Sequence, residues 1–326
     1  MGTRRRQTNF GACVGVFTTF KNLNVMPDQI KHDVIIIGGS YAGLSAAMAL
    51  GRSLKNVLII DSGLPCNRQT PHSHNFITQD GETPAAIAAK ARQQVSAYKT
   101  VSFINGLATS AAKTDDGFAV TTQDGQAFES RKLVIATGVK DLMPPIKGFS
   151  DCWGITVVHC PYCHGYELRG LKTAIMSKGD KALHLAGLVS NLTNDVTLLT
   201  STASLTPVQL RKLTARRIRI IETEVSEIVH QSGHVKAVVF ADGSQEKFDA
   251  IYAAVPFEQH SEIPVALGCE LTETGHIKVD ATQKTTVEGV YACGDNSSTM
   301  RSVASAVYAG NLAGTAINRE LTEERF

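Results

Sequence analysis

The sequence predicts an α/β fold built from two parallel-sheet units in one chain. Three observations carry this: a β-branched run breaking into a glycine turn at Val34 to Gly43, the same strand–helix–strand order returning after Thr173, and strand ends marked by Ala136-Thr137-Gly138 and Gly294-Asp295. The chain of 326 residues is long for one core and suits two domains of about 150 residues each.

The elements follow in order. Val34 to Ile37 is a short apolar strand, Gly38 to Gly43 a turn, Leu44 to Leu54 a helix and Asn56 to Ile60 a second buried strand ending at Asp61. That makes one strand–helix–strand unit of mononucleotide-binding length. A helix is expected at about Pro84 to Tyr98, then a small β-meander around Phe118 to Gln123 and a returning strand at Phe128 to Thr137. Lys140 to Ser150, with two prolines and a glycine, reads as a linker. The second unit has strands at Thr173 to Met176 and Asp195 to Leu199 around a helix at Lys181 to Ser190. A helix at about Pro207 to Thr214 and strands near Ile218 to Ile221, Val235 to Phe240 and Ala250 to Ala254 complete it. The tail is expected as a strand at His276 to Val279, a strand ending in Tyr291-Ala292-Cys293 and a helix from about Met300 to Leu321.

Composition excludes several classes. Hydrophobic residues at 43% and charged residues at 19% match ordinary globular usage, not a disordered, collagen-like or disulfide-scaffold chain. A net charge of +2 from 32 basic and 30 acidic residues gives no field directed at nucleic acid. Seven cysteines are too few and too irregular for a secreted framework, so a cytoplasmic, reducing compartment is expected. Arg4-Arg5-Arg6 followed by Phe10 to Phe20 imitates a signal peptide, but Asn9, Gly11, Gly15, Thr18 and Thr19 interrupt it and it is too short to span a membrane. Residues 1–30 are therefore expected to be a disordered extension, or to precede a start at Met26.

The first turn reads Gly38-x-Ser40-x-x-Gly43, one residue away from the dinucleotide fingerprint. Gly38 permits the tight turn, small Ser40 lets the backbone approach a pyrophosphate, and Gly43 lets helix pack on strand. The helix N-terminus supplies N–H groups to phosphates, and Asp61 is placed to accept from ribose hydroxyls. Ala136-Thr137-Gly138 and Gly294-Asp295 end strands at the sheet edge where such folds gather ligands.

His159-Cys160-Pro161-Tyr162-Cys163-His164-Gly165 is the most informative segment. Thiols separated by two residues close a disulfide with little rearrangement, and His164, with an ordinary pKa near neutrality, suits the transfer of a thiol proton. The residues alone leave other readings open: covalent haem attachment, a zinc site drawn from His159, Cys160, Cys163 and His164, or an inert buried pair. Cys13, Cys66, Cys152, Cys269 and Cys293 lack paired spacing and read as core or surface residues.

Together these residues resemble the low-molecular-weight thioredoxin reductase family of FAD-dependent pyridine nucleotide-disulfide oxidoreductases, from about residue 31 to the end. The resemblance implies two Rossmann-like, three-layer ββα nucleotide-binding domains, the second inserted into the first. It implies an FAD-binding domain at 31–144 and 259–326, an NAD(P)-binding-like domain at 145–258 carrying the cysteine pair, and a homodimer. It assigns FAD to Gly38, Gly39, Ser40, Ala42, Gly43, Asp61, Ala136, Thr137, Gly138, Gly294 and Asp295, and catalysis to Cys160, Cys163 and His164 with no metal. Cys163 would face the isoalloxazine, and Cys160 would meet a thioredoxin-like protein or a small dithiol or disulfide. Two departures matter. His164 stands where reductases of this family carry aspartate, which is similar to flavin-dependent dithiol oxidases that pass electrons to oxygen. In the second unit the expected Gly-x-Gly-x-x-Ala reads Ser177-Lys178-Gly179-Asp180-Lys181-Ala182, and no guanidinium falls at Thr200-Ser201-Thr202 or Thr206 to grip a 2′-phosphate. NAD(P)H use is therefore left open, as is a flavin-bearing redox sensor without turnover.

Overall fold

The computed structural model describes Gly2, residues 32–201 and residues 205–326. The expected extension over residues 1–30, Gly2 excepted, and Thr202 lie outside the described residues.

The central strand His32–Ile37 runs parallel to both Val57–Asp61 and Ala127–Ile135, with Ile37 in register with Ile60 and Ile135. Val101–Asn105 extends the sheet on one side, and Val290–Ala292 runs parallel to the second half of Ala127–Ile135. The first half of that long strand pairs antiparallel with Gly117–Thr122, which pairs with Ala108–Thr114. One strand thus serves a parallel sheet and a meander.

Alternation of side chains along a strand explains the unbroken apolar run. Val34 and Ile36 pack toward the helices Tyr41–Arg52 and Val303–Glu323, while Ile35 and Ile37 pack toward the meander through Phe118 and Val120. Burial on both faces leaves no position for a polar residue. The two helices approach closely because the last one presents Gly310 and Gly314 to Ala42 and Ala46, where a Cβ at Gly310 would collide with the Ala42 carbonyl.

The second stack repeats the plan. Its parallel strands lie in the order Arg219–Ile221, Val196–Leu199, Thr173–Met176, Ala250–Ala253, Val157–Val158. Ile175, Leu198 and Tyr252 face the helix Gly179–Val189, whereas Ala174, Leu199 and Ile251 face an antiparallel layer formed by Val225–Gln231, His234–Phe240 and Gln245–Glu246. A two-stranded antiparallel ribbon, Val139–Asp141 against Phe257–Gln259, joins the stacks where the chain leaves the first sheet and where it returns.

Several expectations need correction. The proposed linker Lys140 to Ser150 contains part of this ribbon and the start of a short helix, Phe149–Cys152. His276 to Val279 is not a strand; Ile277 and Val279 make only isolated bridges to Leu271 and Thr285. The first helix begins at Tyr41, since Ser40 is already its N-cap, and the last begins at Val303, because the Ser302 hydroxyl accepts the Ser305 N–H at 3.1 Å. Among the described residues no helix is long and apolar enough to cross a membrane.

Candidate active site

Parallel strands in register end together, so Gly38, Asp61, Ala136 and Gly294 converge on one edge of the first sheet. Gly38 has φ +105°, a conformation open to glycine, and a side chain there would strike the Ala136 carbonyl. Its N–H donates to Ile60 O at 2.8 Å, and the Gly39 N–H donates to Asp61 Oδ1 at 3.0 Å. Gly43 sits against the Gly38 carbonyl, with no room for a Cβ. Ser40 caps the helix through its backbone alone and the first turn holds no acidic residue, so N–H groups are left for an anion.

Around this cradle lie buried polar atoms with no protein partner, Thr137 Oγ1 and Asn296 Oδ1. Asn296 is anchored through its amide nitrogen, which donates to Ile135 O at 2.9 Å, so its oxygen is held toward a group the protein does not supply. These residues fit the expected FAD: a glycine-lined turn, an uncapped helix start, a carboxylate on the turn and unsatisfied hydrogen-bonding atoms.

Arg301 organises the other side of the edge. It donates to both Asp141 oxygens, Nη1 at 2.7 Å and Nη2 at 3.0 Å, and its Nε lies 3.4 Å from Asp295 Oδ2. Burial opposes the Arg301 charge, but the hydrogen bonds and charge of Asp141 outweigh it and keep the guanidinium protonated. Burial lifts the Asp295 carboxyl above its usual range against the pull of Arg301. Cys66 is exposed, and desolvation by the surrounding protein, ahead of the Asp295 charge, pushes its thiol up to about 11. Cys152, Cys269 and Cys293 are buried.

The cysteine pair starts from the matching edge of the second sheet. Val157–Val158 ends at His159, and Cys160 then caps a short helical turn, Pro161–His164. Cys160 and Cys163 form a disulfide with their Cα atoms 5.3 Å apart, and the Cys163 N–H donates to Cys160 Sγ at 3.1 Å. The His159 ring stacks on Trp153 at 5.9 Å and Trp153 on Phe149 at 5.7 Å. His159 Nε2 is buried without a partner, and burial, then the field of Arg301, push its pKa down to about 4. Burial also lowers His164, with Glu167 opposing and His74 adding to the shift.

At the end of the second sheet, Ser177 and Thr200 are buried with unpartnered hydroxyls, and Gly179 opens the helix at φ +59°. Thr206 is committed to a capping box with Gln209, whose amide donates to Asp180 at 3.0 Å. Ser177 and Thr200 thus offer hydroxyls at this edge, beside Lys178 at the helix N-cap. The structure therefore brings together Gly38, Gly39, Ser40, Ala42, Gly43, Asp61, Ala136, Thr137, Gly138, Gly294 and Asp295 at one edge, and joins Cys160 to Cys163 beside His164. Sequence reasoning missed Asp141, Asn296 and Arg301. The asparagine follows Gly294-Asp295 directly, a signal within reach; the ion pair joins residues distant in sequence and had none.

The chain matches the family model described as pyridine nucleotide-disulphide oxidoreductase over residues 32–310. It is 34% identical over 301 residues to thioredoxin reductase tcpT of Claviceps purpurea, covering 89% of this chain and 94% of that one. Thioredoxin reductase sirT of Leptosphaeria maculans is 32% identical, with 88% and 93% covered. Among solved structures, an oxidoreductase from Agrobacterium tumefaciens is 37% identical with a TM-score of 0.84, covering 90% of this chain and 99% of that one. The crystal structure of HlmI is 32% identical with a TM-score of 0.86, covering 91% and 96%.

Proposed function

This chain belongs to the pyridine nucleotide-disulphide oxidoreductase family, as an FAD-using, thioredoxin reductase-like disulfide oxidoreductase, and from that premise we propose that Cys160 and Cys163 pass electrons between FAD and a dithiol or disulfide substrate. The observation that carries this reading is the closed Cys160–Cys163 bond on the short turn that ends in His164. FAD is held by Gly38, Gly39, Ser40, Ala42, Gly43, Asp61, Ala136, Thr137, Gly138, Gly294 and Asp295. The FAD-binding domain is residues 31–144 and 259–326, and residues 145–258 form the inserted NAD(P)-binding-like domain. When bound, FAD supplies a reversible acceptor for one electron pair.

The chain's own residues handle the sulfur chemistry. Cys160 meets the substrate, and the Cys163 N–H directed at its sulfur favours negative charge there when Cys160 is released from the substrate. In the oxidising direction a substrate thiol gives its proton to His164, and its thiolate attacks Cys160. The Cys160–Cys163 bond breaks, and Cys163 departs as a thiolate. The second substrate thiol then attacks the first substrate sulfur and releases Cys160. The substrate loses two electrons and two protons: the electron pair passes to the cysteine pair, the first proton to His164 and the second to water; the reverse sequence reduces a disulfide. Burial favours the neutral form of His164, the form that accepts a proton.

Two features favour oxidation of a small dithiol with electrons passed to oxygen: His164 itself, and the lack of a guanidinium at Thr200, Ser201 or Thr206 to hold a 2′-phosphate. Reduction of a thioredoxin-like protein is the other direction of the same chemistry. A homodimer in the cytoplasm completes the reading, with light scattering as the test of the dimer. Anaerobic mixing with NADPH, NADH or dithiothreitol, followed at the flavin absorbance band, tests direction. Bleaching by dithiol alone, with peroxide formed on admitting air, is expected; rapid bleaching by NADPH would overturn the oxidase direction.

A further inference from the structure

A cavity of about 410 Å³ lies between the two stacks, with His72 and His74 on the side of the first sheet and His164 and Glu167 on the side of the second. It adjoins the redox turn through His164 and is not lined by either cysteine. His164 and Glu167 stand one helical turn apart, since the Leu168 N–H donates to His164 O at 3.2 Å, and residues at this spacing share a face. Glu167 reaches across the gap: its Oε1 lies 3.7 Å from His74 Nε2. The other ring nitrogen of His74 lies 3.7 Å from Asp80 Oδ1, which is itself fixed by the Asn75 N–H at 2.7 Å. Asp80, His74 and Glu167 are thus paired in order from an exposed loop to a position one helical turn from His164, the residue beside Cys163.

We propose that Glu167 and His74 are positioning residues for His164, orienting its ring and forming the path by which its proton reaches solvent through the cavity. The physical ground is that an imidazole that accepts a proton in a half-buried site needs a neighbouring carboxylate to hold it and an outlet for the proton. Glu167 supplies the first, and His74, whose two ring nitrogens face Glu167 and Asp80 of the exposed loop, supplies the second. His74 belongs to the loop of the first stack and Glu167 to the redox turn, so the series is complete only when the two stacks are docked as they are here. Along this path only S–H, N–H and O–H bonds change: one proton leaves the substrate thiol as its S–H bond breaks, passes to His164 and exits as solvent-borne H⁺.

The electrostatics carry signs that separate the two partners. Facing His164 are Glu167 on its own turn, His72, His74 and Asp80 from the opposite loop, His159 across the redox turn, and His234, Lys236 and Asp249 around the cavity. Among the nearest, Glu167 raises the His164 pKa and His74 lowers it. Removing one must therefore move the titration opposite to removing the other.

The inference rests on His164 being the acid–base group, and the experiment separates the two. Stopped-flow bleaching of the flavin by dithiothreitol in the holoenzyme, from pH 5 to pH 9, is compared for wild type, Glu167→Gln, Glu167→Asp, His74→Asn and His164→Asn. NMR titration of the His164 ring proton, assigned by its loss in His164→Asn, provides a reading independent of turnover. Glu167→Gln is expected to move the His164 midpoint down and His74→Asn to move it up, with Glu167→Asp restoring most of the wild-type value. If His164→Asn leaves the pH profile intact, the acid–base assignment falls. If His164→Asn removes the limb while Glu167→Gln and His74→Asn leave both midpoints in place, the positioning role is wrong and the assignment stands.

Discussion

Arg301 shows how one side chain can hold a ligand edge together. Its fork spans Asp141 on the connecting ribbon and Asp295 after the last strand, and the guanidinium and both carboxylates are largely buried. Lysine has one compact charge and cannot make both parallel bonds to Asp141. Arg301→Lys is expected to cost about 2 kcal/mol in urea unfolding, the scale of a lost charged hydrogen bond, and to release FAD during gel filtration, seen as loss of the flavin absorbance. Retention of flavin at unchanged stability would show that Asp141 and Asp295 are held by other means. Cys160→Ser probes a different property: bleaching by dithiol should stop while the bound flavin band persists.

Among the elements, the last helix depends on two kinds of contact. Along its middle, Gly310 and Gly314 let it lie against the first helix at backbone distance. Gly310→Val must push the helices apart, and the unfolding free energy measured in urea should fall by about 3 kcal/mol, at the upper end of ordinary overpacking. Near its end, Glu320 accepts from Lys132, Tyr291 and Lys284, and Lys132 also meets Glu324 at 2.6 Å. Burial raises the Glu320 pKa, but these partners outweigh it and hold the carboxyl down at about 2, below the ordinary 4.5. A depressed carboxylate stabilises the fold fully above its unfolded pKa and loses that contribution as pH falls through its folded one. Stability should therefore decline between about pH 4.5 and pH 2, and Glu320→Gln should flatten that limb in a series of urea melts while lowering stability at pH 7. An unaltered acid limb would sink the assignment.

Across the whole molecule, both stacks present strand ends toward a common region, and the ribbon Val139–Asp141 with Phe257–Gln259 lets one chain build both. Much of this plan was legible locally. The runs Val34 to Ile37 and Thr173 to Met176 are apolar because both sheet faces are covered, and Gly38 and Gly43 answer constraints of their own turn, so composition and spacing reveal them. Ala108–Thr114 escaped notice because its alanines, serine and threonines carry little strand signal until Gly117–Thr122 lies beside them. The apolar alternation of His276 to Val279 misled for the converse reason: an extended segment without a continuous neighbour forms bridges, not a strand. By itself, then, the sequence determined the α/β class, the glycine turn and the Cys160–Cys163 pairing motif, all consequences of residues within a few positions of one another. Only the tertiary structure decided that Arg301 meets Asp141 and that His74 meets Glu167. Such contacts join residues far apart along the chain, and their energy depends on distance and burial in space, which local pattern does not encode.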